Sequence, residues 1–298
     1  MKRPDQLLLA ALLSAVAASQ PVQAQQPPVP LKAEESAVEP PVRMKPVWEA
    51  GVGIAALALP DYRGSDQGRG YVLPFPYLVY RGEVFKADRD GASAELFKHR
   101  RVKLGLTASA SLPVSSQRNR AREGMPNLAA SLEIGPALNV PLLQSANGQV
   151  RVNFRLPVST GVSLGHGKVS STGWQTAPHL NIDVENVGGW SGWNLGALVG
   201  PIYANRRRNA YFYDVEHQYA QADRSAYASH GGYAGSQFTS SLSKRFDRFW
   251  VGAFVRADTL QGAVFDDSPL VRQKSYLAAG VAVSWILGES SSLVAVDH

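Results

Sequence analysis

The stretch RVKLGLTASASLP, residues 101–113, alternates between apolar and polar positions without a slip. Apolar residues occupy the even positions from Val102 to Leu112, whereas polar or small residues occupy the odd positions. Because successive side chains of a β-strand point to opposite faces, this period of two predicts a strand with one apolar and one polar face. The apolar face must then contact either the core of a soluble sandwich or lipid.

Twelve segments with this period follow one another from Trp48 onward. They span residues 47–59, 71–80, 83–88, 92–98, 101–113, 127–141, 149–164, 173–184, 191–203, 233–245, 248–258 and 275–287. An even number of strands returns both ends of the sheet to the same side, as a closed antiparallel barrel requires. The sequence therefore predicts an all-β fold of about 12 strands.

The connections between the segments sort by length. Those after even-numbered segments are short, and those after odd-numbered segments are long except at 88–91. The long ones are 60–70, 114–126, 165–172, 204–232 and 259–274. Short turns at one end and long loops at the other are typical of transmembrane barrels, and a soluble sandwich gives no reason for them. We therefore predict a closed antiparallel transmembrane β-barrel whose apolar face contacts lipid.

The N-terminus predicts export. Two basic residues precede the apolar run 7–19, and small residues end at Ala24, as in a secretory signal peptide. Six prolines between residues 25 and 46 block both helix and sheet, which indicates a disordered or extended linker. The predicted domains are a signal peptide at 1–24, a proline-rich periplasmic linker at 25–46, the barrel at 47–288 and a C-terminal tail at 289–298. The expected location is the outer membrane of a Gram-negative bacterium.

Composition changes this picture little. The 298 residues are 45% hydrophobic with a mean hydropathy of −0.14, which suits a soluble protein and equally a barrel whose lipid-facing residues alternate with lumen-facing ones. The chain carries a formal charge of +6, and two basic runs fall in predicted outer loops. Lipopolysaccharide phosphates are the expected partners there, rather than nucleic acid. The candidate contacts are Arg118, Arg120, Arg122, Arg206, Arg207 and Arg208.

The polar faces of the strands predict a charged lumen. Its candidate residues are Glu49, Arg101, Lys103, Glu133, Arg151, Arg155, His179, Asp183, Arg245, Arg248, Arg256 and Asp258. Charges of both signs form either a salt-bridged plug or a wet channel, and the sequence leaves both open. Pro74 and Pro76 lie inside a predicted strand, where each removes a ladder donor. They predict a bulge or locally broken pairing, and with the rest of 60–76 and the string KADRD a constriction in the lumen.

Catalytic motifs are scarce. The sequence contains no GxSxG elbow, no HExxH or HxH spacing and no cysteine. His179, near several serines, is a candidate for a Ser–His pair assembled across strands, although a hydrogen-bonded lumen histidine is the simpler interpretation. We therefore predict neither enzymatic activity nor a cofactor or metal.

Three longer strings carry a resemblance to a known family. PDYRGSDQGRGYVLPFPYLVYRGEVFKADRDG (60–91), SLPVSSQRNRAREGMPNLAASLEIGPAL (111–138) and DDSPLVR (266–272) resemble the MipA/OmpV family of Gram-negative outer-membrane proteins. The resemblance extends from Trp48 to Leu287. It implies a scaffold that couples a lytic transglycosylase to a penicillin-binding murein synthase in peptidoglycan turnover. Other family members are known mainly as surface antigens or porin-like proteins, so a narrow diffusion channel is the alternative.

Overall fold

The computed structural model describes residues 43–81, 85–88, 91–99, 102–165 and 168–296. The predicted signal peptide and most of the predicted linker lie outside these residues. Helices are few in this part of the chain: one α-helix, α1 (Arg206–Tyr213), and short 3₁₀ turns at Ser116–Arg118, Arg120–Arg122, Val187–Gly189 and His217–Tyr219. Within the described ranges, no helix is long and apolar enough to cross a membrane.

The described residues form fifteen β-strands. They are β1 (Arg43–Pro46), β2 (Trp48–Pro60), β3 (Gly68–Arg81), β4 (Phe85–Asp88), β5 (Gly91–His99), β6 (Val102–Ser111), β7 (Ala130–Gln144), β8 (Val150–Gly165), β9 (Lys168–Thr176), β10 (His179–Glu185), β11 (Trp193–Ala204), β12 (Gly232–Arg245), β13 (Phe249–Thr259), β14 (Ser275–Glu289) and β15 (Leu293–Val296). All of their pairings are antiparallel. β1 pairs with β15, and the other thirteen strands form one sheet.

This sheet closes on itself. β2 to β8 pair in chain order, β11 to β14 do the same, and β14 returns to β2. The remaining gap between β8 and β11 is filled by β9 and β10, each of which pairs with both. The two are halves of one wall strand, interrupted at Pro178, which lacks the N–H that a ladder needs. The structure confirms the predicted barrel of twelve wall strands.

The wall is apolar outside and polar inside. Side chains such as Val52, Leu277 and Val281 are more than half exposed on the outer surface, whereas Glu133 and Asp258 are buried. A soluble protein distributes these residues in the opposite way. The predicted alternation is therefore present, with the apolar faces directed away from the barrel interior.

Two predictions about connections are wrong. Residues 165–172 do not form a long loop, because β8 runs to Gly165 and β9 begins at Lys168. Pro74 and Pro76 lie in β3, whose register with β2 is unbroken from Gly68 to Tyr80, so the predicted bulge is absent. The alternative, locally broken pairing, is present on the other edge of β3, which pairs with β4 only at Tyr80 and Arg81. Residues two apart in a strand direct their backbone groups to the same edge. Both prolines can therefore lie where no N–H is needed for pairing with β2, on the edge of β3 that faces away from it. Residues 68–76 are wall, whereas residues 61–67 belong to a connection at one end of the barrel.

Candidate functional site

Four long connections meet at one end of the barrel and pack together. They are residues 61–67, 112–129, 205–231 and 260–274, which we call the cap. The opposite end has short connections, and we call it the turn end. Most of the buried hydrophobic side chains that form the core cluster come from the cap: Tyr62, Val114, Ala121, Leu128, Tyr213, Val215, Leu260, Ala263, Phe265 and Leu270. The cap therefore has a hydrophobic core of its own, which distinguishes it from solvent-exposed loops.

Aromatic rings form the centre of this core. Phe265 is completely buried and stacks on Tyr213, with ring centroids 3.8 Å apart. The ring of Tyr62 contacts Tyr213 edge-on at 6.4 Å. Burial raises the pKa of Tyr213 to about 12, so its hydroxyl remains protonated and donates to the carbonyl of Arg63 at 2.9 Å. Packing and hydrogen bonding together join three of the four loops.

Two buried arginines connect the loops through backbone carbonyls. Arg224 donates to the carbonyls of Ala121 and Glu123 at 3.0 and 2.9 Å. Arg122 donates to the carbonyl of Phe212 at 2.9 Å, and burial lowers its pKa. A guanidinium has five N–H donors, so it can satisfy several orphan carbonyls at once. These arginines hold loop 112–129 against loop 205–231.

A first charged cluster joins the cap to the barrel wall at β13. Arg63, in the first loop, donates to Asp258 Oδ2 at 2.9 Å and to the carbonyl of Ala234 at 2.9 Å. Arg256 donates to both oxygens of the same carboxylate at 2.7 and 2.8 Å, and the hydroxyl of Tyr276 also donates to it. The Asp258 side chain has no exposed surface. We call these residues the Asp258 cluster.

A second charged cluster joins the cap to β7. Arg208, in α1, forms an ion pair with Glu133 and donates to Thr172 Oγ1 at 3.1 Å. Gln175 donates to the other oxygen of Glu133 at 2.8 Å. The helix is positioned by Asn205, whose side chain caps it by accepting from the Arg208 backbone N–H at 3.0 Å. We call these residues the Glu133 cluster.

The two clusters lie on nearly opposite sides of the barrel. Around the ring of twelve wall strands, β7 and β13 are five positions apart in one direction and seven in the other. The cap core lies between these anchors, because Tyr213 and Arg208 belong to the same helix while Tyr213 contacts Arg63. The cap therefore extends across the barrel mouth and is fixed to both walls.

Several predicted lumen residues are buried or paired on wall strands. Glu49, Glu133, His179 and Asp258 are buried on wall strands. Ion pairs or hydrogen bonds join Arg151 to Glu185 at 3.1 Å, Arg245 to Glu49 at 3.2 Å and Asn181 to Asp183 at 2.9 Å. Lys103 and Arg155 lie on β6 and β8, and Arg101 lies outside the described residues.

Arg248 differs from its prediction. It is exposed in the turn before β13, because that strand begins at Phe249.

His179, the one catalytic candidate, has its Nδ1 2.7 Å from the carbonyl of Ala177, next to the break in the wall strand. This local hydrogen bond to the backbone is typical of a structural histidine. Among the described residues, no group of three His, Cys, Asp or Glu side chains could hold a metal ion.

The predicted outer arginines divide into two groups. Arg118, Arg120, Arg206 and Arg207 are exposed on the cap, and Arg120 pairs with Asp66 at 2.8 Å. Arg122 and Arg208 instead belong to the cap core and the Glu133 cluster, so they are not available to lipopolysaccharide outside. Arg63 and Arg224 are structural residues that the sequence did not single out, since isolated arginines in loops have no pattern.

A closed barrel that is polar inside, apolar outside and capped at one end defines an outer-membrane-type β-barrel. The chain belongs to the MipA family, whose model, described as "MltA-interacting protein MipA", matches residues 52–287. No curated protein matches the chain.

The likeness to solved structures is distant. A "bacterial polysaccharide outer membrane secretin" is 8% identical, with 80% of this chain and 99% of that chain covered and a TM-score of 0.38. The "CymD monoaromatic hydrocarbon channel" is 14% identical, with 84% and 69% covered and a TM-score of 0.30. OprG from Pseudomonas aeruginosa is 12% identical, with 81% and 94% covered and a TM-score of 0.21. At these scores the similarity carries no functional conclusion.

Proposed function

We propose that this protein is a non-enzymatic scaffold in the outer membrane that joins murein-cleaving and murein-synthesising enzymes. Its family is named for interaction with the lytic transglycosylase MltA, which supplies the first partner. A penicillin-binding murein synthase is the second. The observation that carries a scaffold rather than an open pore is the cap, because a packed hydrophobic core closes one end of the barrel.

The surface of the barrel supports the membrane location. Apolar side chains cover its outside, and exposed aromatic rings lie near both ends of the wall strands. Trp48, Tyr80 and Trp285 are at the turn end, whereas Trp174 and Tyr203 are nearer the cap. With the chain entering from the periplasm, the turn end faces the periplasm and the cap faces outward. Murein enzymes then meet the protein at its turn end.

We expect the wild-type protein to be silent in a planar lipid bilayer. The cap is fixed to opposite walls by the Asp258 and Glu133 clusters, so it should obstruct the passage of ions through the mouth. Single-channel recording of the refolded protein checks this, with heat-modifiable migration on a gel as proof of folding. Discrete, stable conductance steps from folded wild-type protein would contradict the closed mouth and favour a diffusion channel.

The scaffold itself is tested by direct binding. We expect the folded protein in detergent to retain a purified MltA-type lytic transglycosylase and a bifunctional murein synthase. An unrelated outer-membrane barrel in the same detergent is the control. Failure of the folded wild-type protein to retain either enzyme would overturn the proposed function.

A channel is the second candidate function, and the polar lumen favours it. Charged side chains such as Arg151, Glu185 and Asp183 lie on the wall below the cap. A barrel used only as an anchor needs no such charges. In this alternative the cap opens. Channel activity would then depend on breaking the ion pair of either the Asp258 cluster or the Glu133 cluster.

The exposed cap arginines predict contact with lipopolysaccharide. We expect Arg206→Gln together with Arg207→Gln to weaken binding to lipopolysaccharide micelles several-fold, because both guanidiniums are exposed and phosphate pairs well with them. Fluorescence titration of the folded protein measures this. The matched control is Arg248→Gln in the exposed turn at the other end of the barrel, which should bind as the wild type does. Equal binding by the double variant and the wild type would remove these residues from the proposal.

A further inference from the structure

The polar lining of the lumen is interrupted on β2, β3 and β13. Val52, Val72 and Val255 on these strands are at least half exposed on the lipid-facing surface. Because side chains alternate along a strand, residues an odd number of positions away point into the lumen. Many of these are apolar, and we call the following six the apolar panel: Ala55, Leu57, Tyr71, Leu73, Phe75 and Phe254.

Glycines make room for the large side chains of the panel. A side chain at Gly53 would collide with the ring of Phe75, which lies directly opposite on β3. A side chain at Gly280 would collide with both Phe254 and Leu57. Side chains that lie over glycines cover the wall and leave the centre of the lumen open. Phe75, Phe254 and Leu57 are accordingly only partly buried, although they point into the barrel.

The panel ends at a strand edge that lacks a full partner. β3 has 14 residues, and on this edge only Tyr80 and Arg81 pair with β4. Within the described residues, the edge from Gly68 to Val79 has no strand beside it. An unpaired N–H is costly in lipid, but Pro74 and Pro76 have none to leave unpaired on this edge. The prolines therefore favour an edge that stays open to the membrane.

The chemistry of the panel selects an apolar ligand. Leucine and phenylalanine side chains offer no hydrogen bonds, so a polar molecule would lose those it makes with water. Charged groups nearby are already paired: Arg256, two residues from Phe254, binds Asp258, and Arg245 binds Glu49. Such surroundings resemble the mostly apolar sites that take small hydrophobic ligands.

The position of the panel excludes larger occupants. A folded partner or a second copy of the chain cannot enter a barrel of twelve strands. The chain's own N-terminal segment does not match the panel, because residues 32–39 contain one lysine and three glutamates. An extended peptide would also bring unpaired backbone groups against an apolar surface. A small molecule or a single acyl chain has neither disadvantage.

We propose that the apolar panel is a binding site for an apolar ring or chain that enters from the membrane past the open edge of β3. Val72 and Leu78, on the outer face of the same strand, are 73% and 56% exposed. An apolar molecule that crosses this edge therefore remains on apolar surface from the lipid to the lumen. The inference goes beyond the proposed scaffold, and it holds whether or not murein enzymes bind.

Photolabelling in lipid vesicles tests the site and the route. Two probes carry the same trifluoromethyl-phenyl-diazirine, one as a free small molecule and one at the end of a phospholipid acyl chain. Attachment sites in the folded, reconstituted protein are mapped by mass spectrometry. We expect both probes to label Phe75 and Phe254 inside the barrel, as well as Leu277, which is 71% exposed outside. Leu198, which points into the lumen opposite Asn181 of β10, should remain unlabelled.

The same substitution on two inner walls provides the matched control. Leu73→Asn lies within the panel, and Leu198→Asn lies on β11, five wall positions away. We expect Leu73→Asn to lower labelling of Phe75 and Phe254 at least fivefold, and Leu198→Asn to leave it as in the wild type. Labelling of Leu277 should be equal in all three proteins, and heat-modifiable gel migration shows that each is folded.

Each other outcome contradicts a defined part of the proposal. Unlabelled Phe75 and Phe254 in the folded wild type, labelling that Leu73→Asn does not lower, or equal labelling of Leu198 would overturn the site. The phospholipid probe cannot reach the lumen through water, so labelling by the free probe alone would overturn the route past β3. Where both probes label the panel, displacement by excess toluene identifies a small aromatic ligand, and displacement by oleate identifies an acyl chain.

Discussion

Replacing Phe265 with alanine will loosen the cap while the barrel remains folded. The ring is completely buried and stacks on Tyr213 at 3.8 Å. Truncation of a buried phenylalanine to alanine typically costs about 3–5 kcal/mol, because lost transfer free energy and a cavity add together. The cap has a small core, so this cost is a large share of its stability. The barrel wall keeps its own hydrogen bonds and should persist.

Limited proteolysis of the folded variant measures this effect. We expect cleavage within residues 205–231 and 112–129 at least tenfold faster than in the wild type. Phe238→Ala is the matched control, since Phe238 is 46% exposed on the outside of β12. Its proteolysis rate should equal that of the wild type. A Phe265→Ala protein that resists protease as the wild type does would show that the cap is not held by its aromatic core.

Replacing Asp258 with asparagine will destabilise the junction between cap and wall. The carboxylate has no exposed surface and accepts from Arg63 and from Arg256. Removing one partner from a buried ion pair typically costs about 3–5 kcal/mol, because it leaves the other charge uncompensated. Arg63 and Arg256 are 24% and 35% exposed, so water can compensate them in part, and we expect about 3 kcal/mol.

The urea midpoint of unfolding, followed by heat-modifiable gel migration, reports this loss. A double-mutant cycle with Arg63→Gln isolates the pair, and we expect a coupling free energy of about 1–3 kcal/mol. Asp247→Asn, in the exposed turn between β12 and β13, is the control and should leave the midpoint unchanged. Additive effects of Asp258→Asn and Arg63→Gln would mean that the contact does not hold the cap to β13.

The two variants also separate the two candidate functions. A scaffold that acts through its turn end should bind its enzymes normally when Phe265 or Asp258 is replaced, provided that the barrel stays folded. A channel gated by the cap should instead conduct more in both variants. Enzyme binding and conductance measured on the same preparations therefore distinguish an anchor from a pore.

The sequence by itself determined the architecture. Alternation of apolar and polar residues with period two is a property of the local backbone, so a strand such as β14 can be recognised without knowing its neighbours. Loop lengths then placed the turns at one end and the cap loops at the other. Errors arose where the pattern is weak: β9 begins five residues before the predicted strand, in a stretch of valine, serine, threonine and glycine.

Only the tertiary structure decided what the loops do. Arg122 and Arg208 belong to the same basic runs as the exposed Arg120 and Arg207, yet they are internal and their neighbours are not. Arg63 and Asp258 are separated by 195 residues. Such contacts have no local period, because they depend on how distant loops meet across a closed ring of strands. The cap could therefore be seen only once the chain was folded.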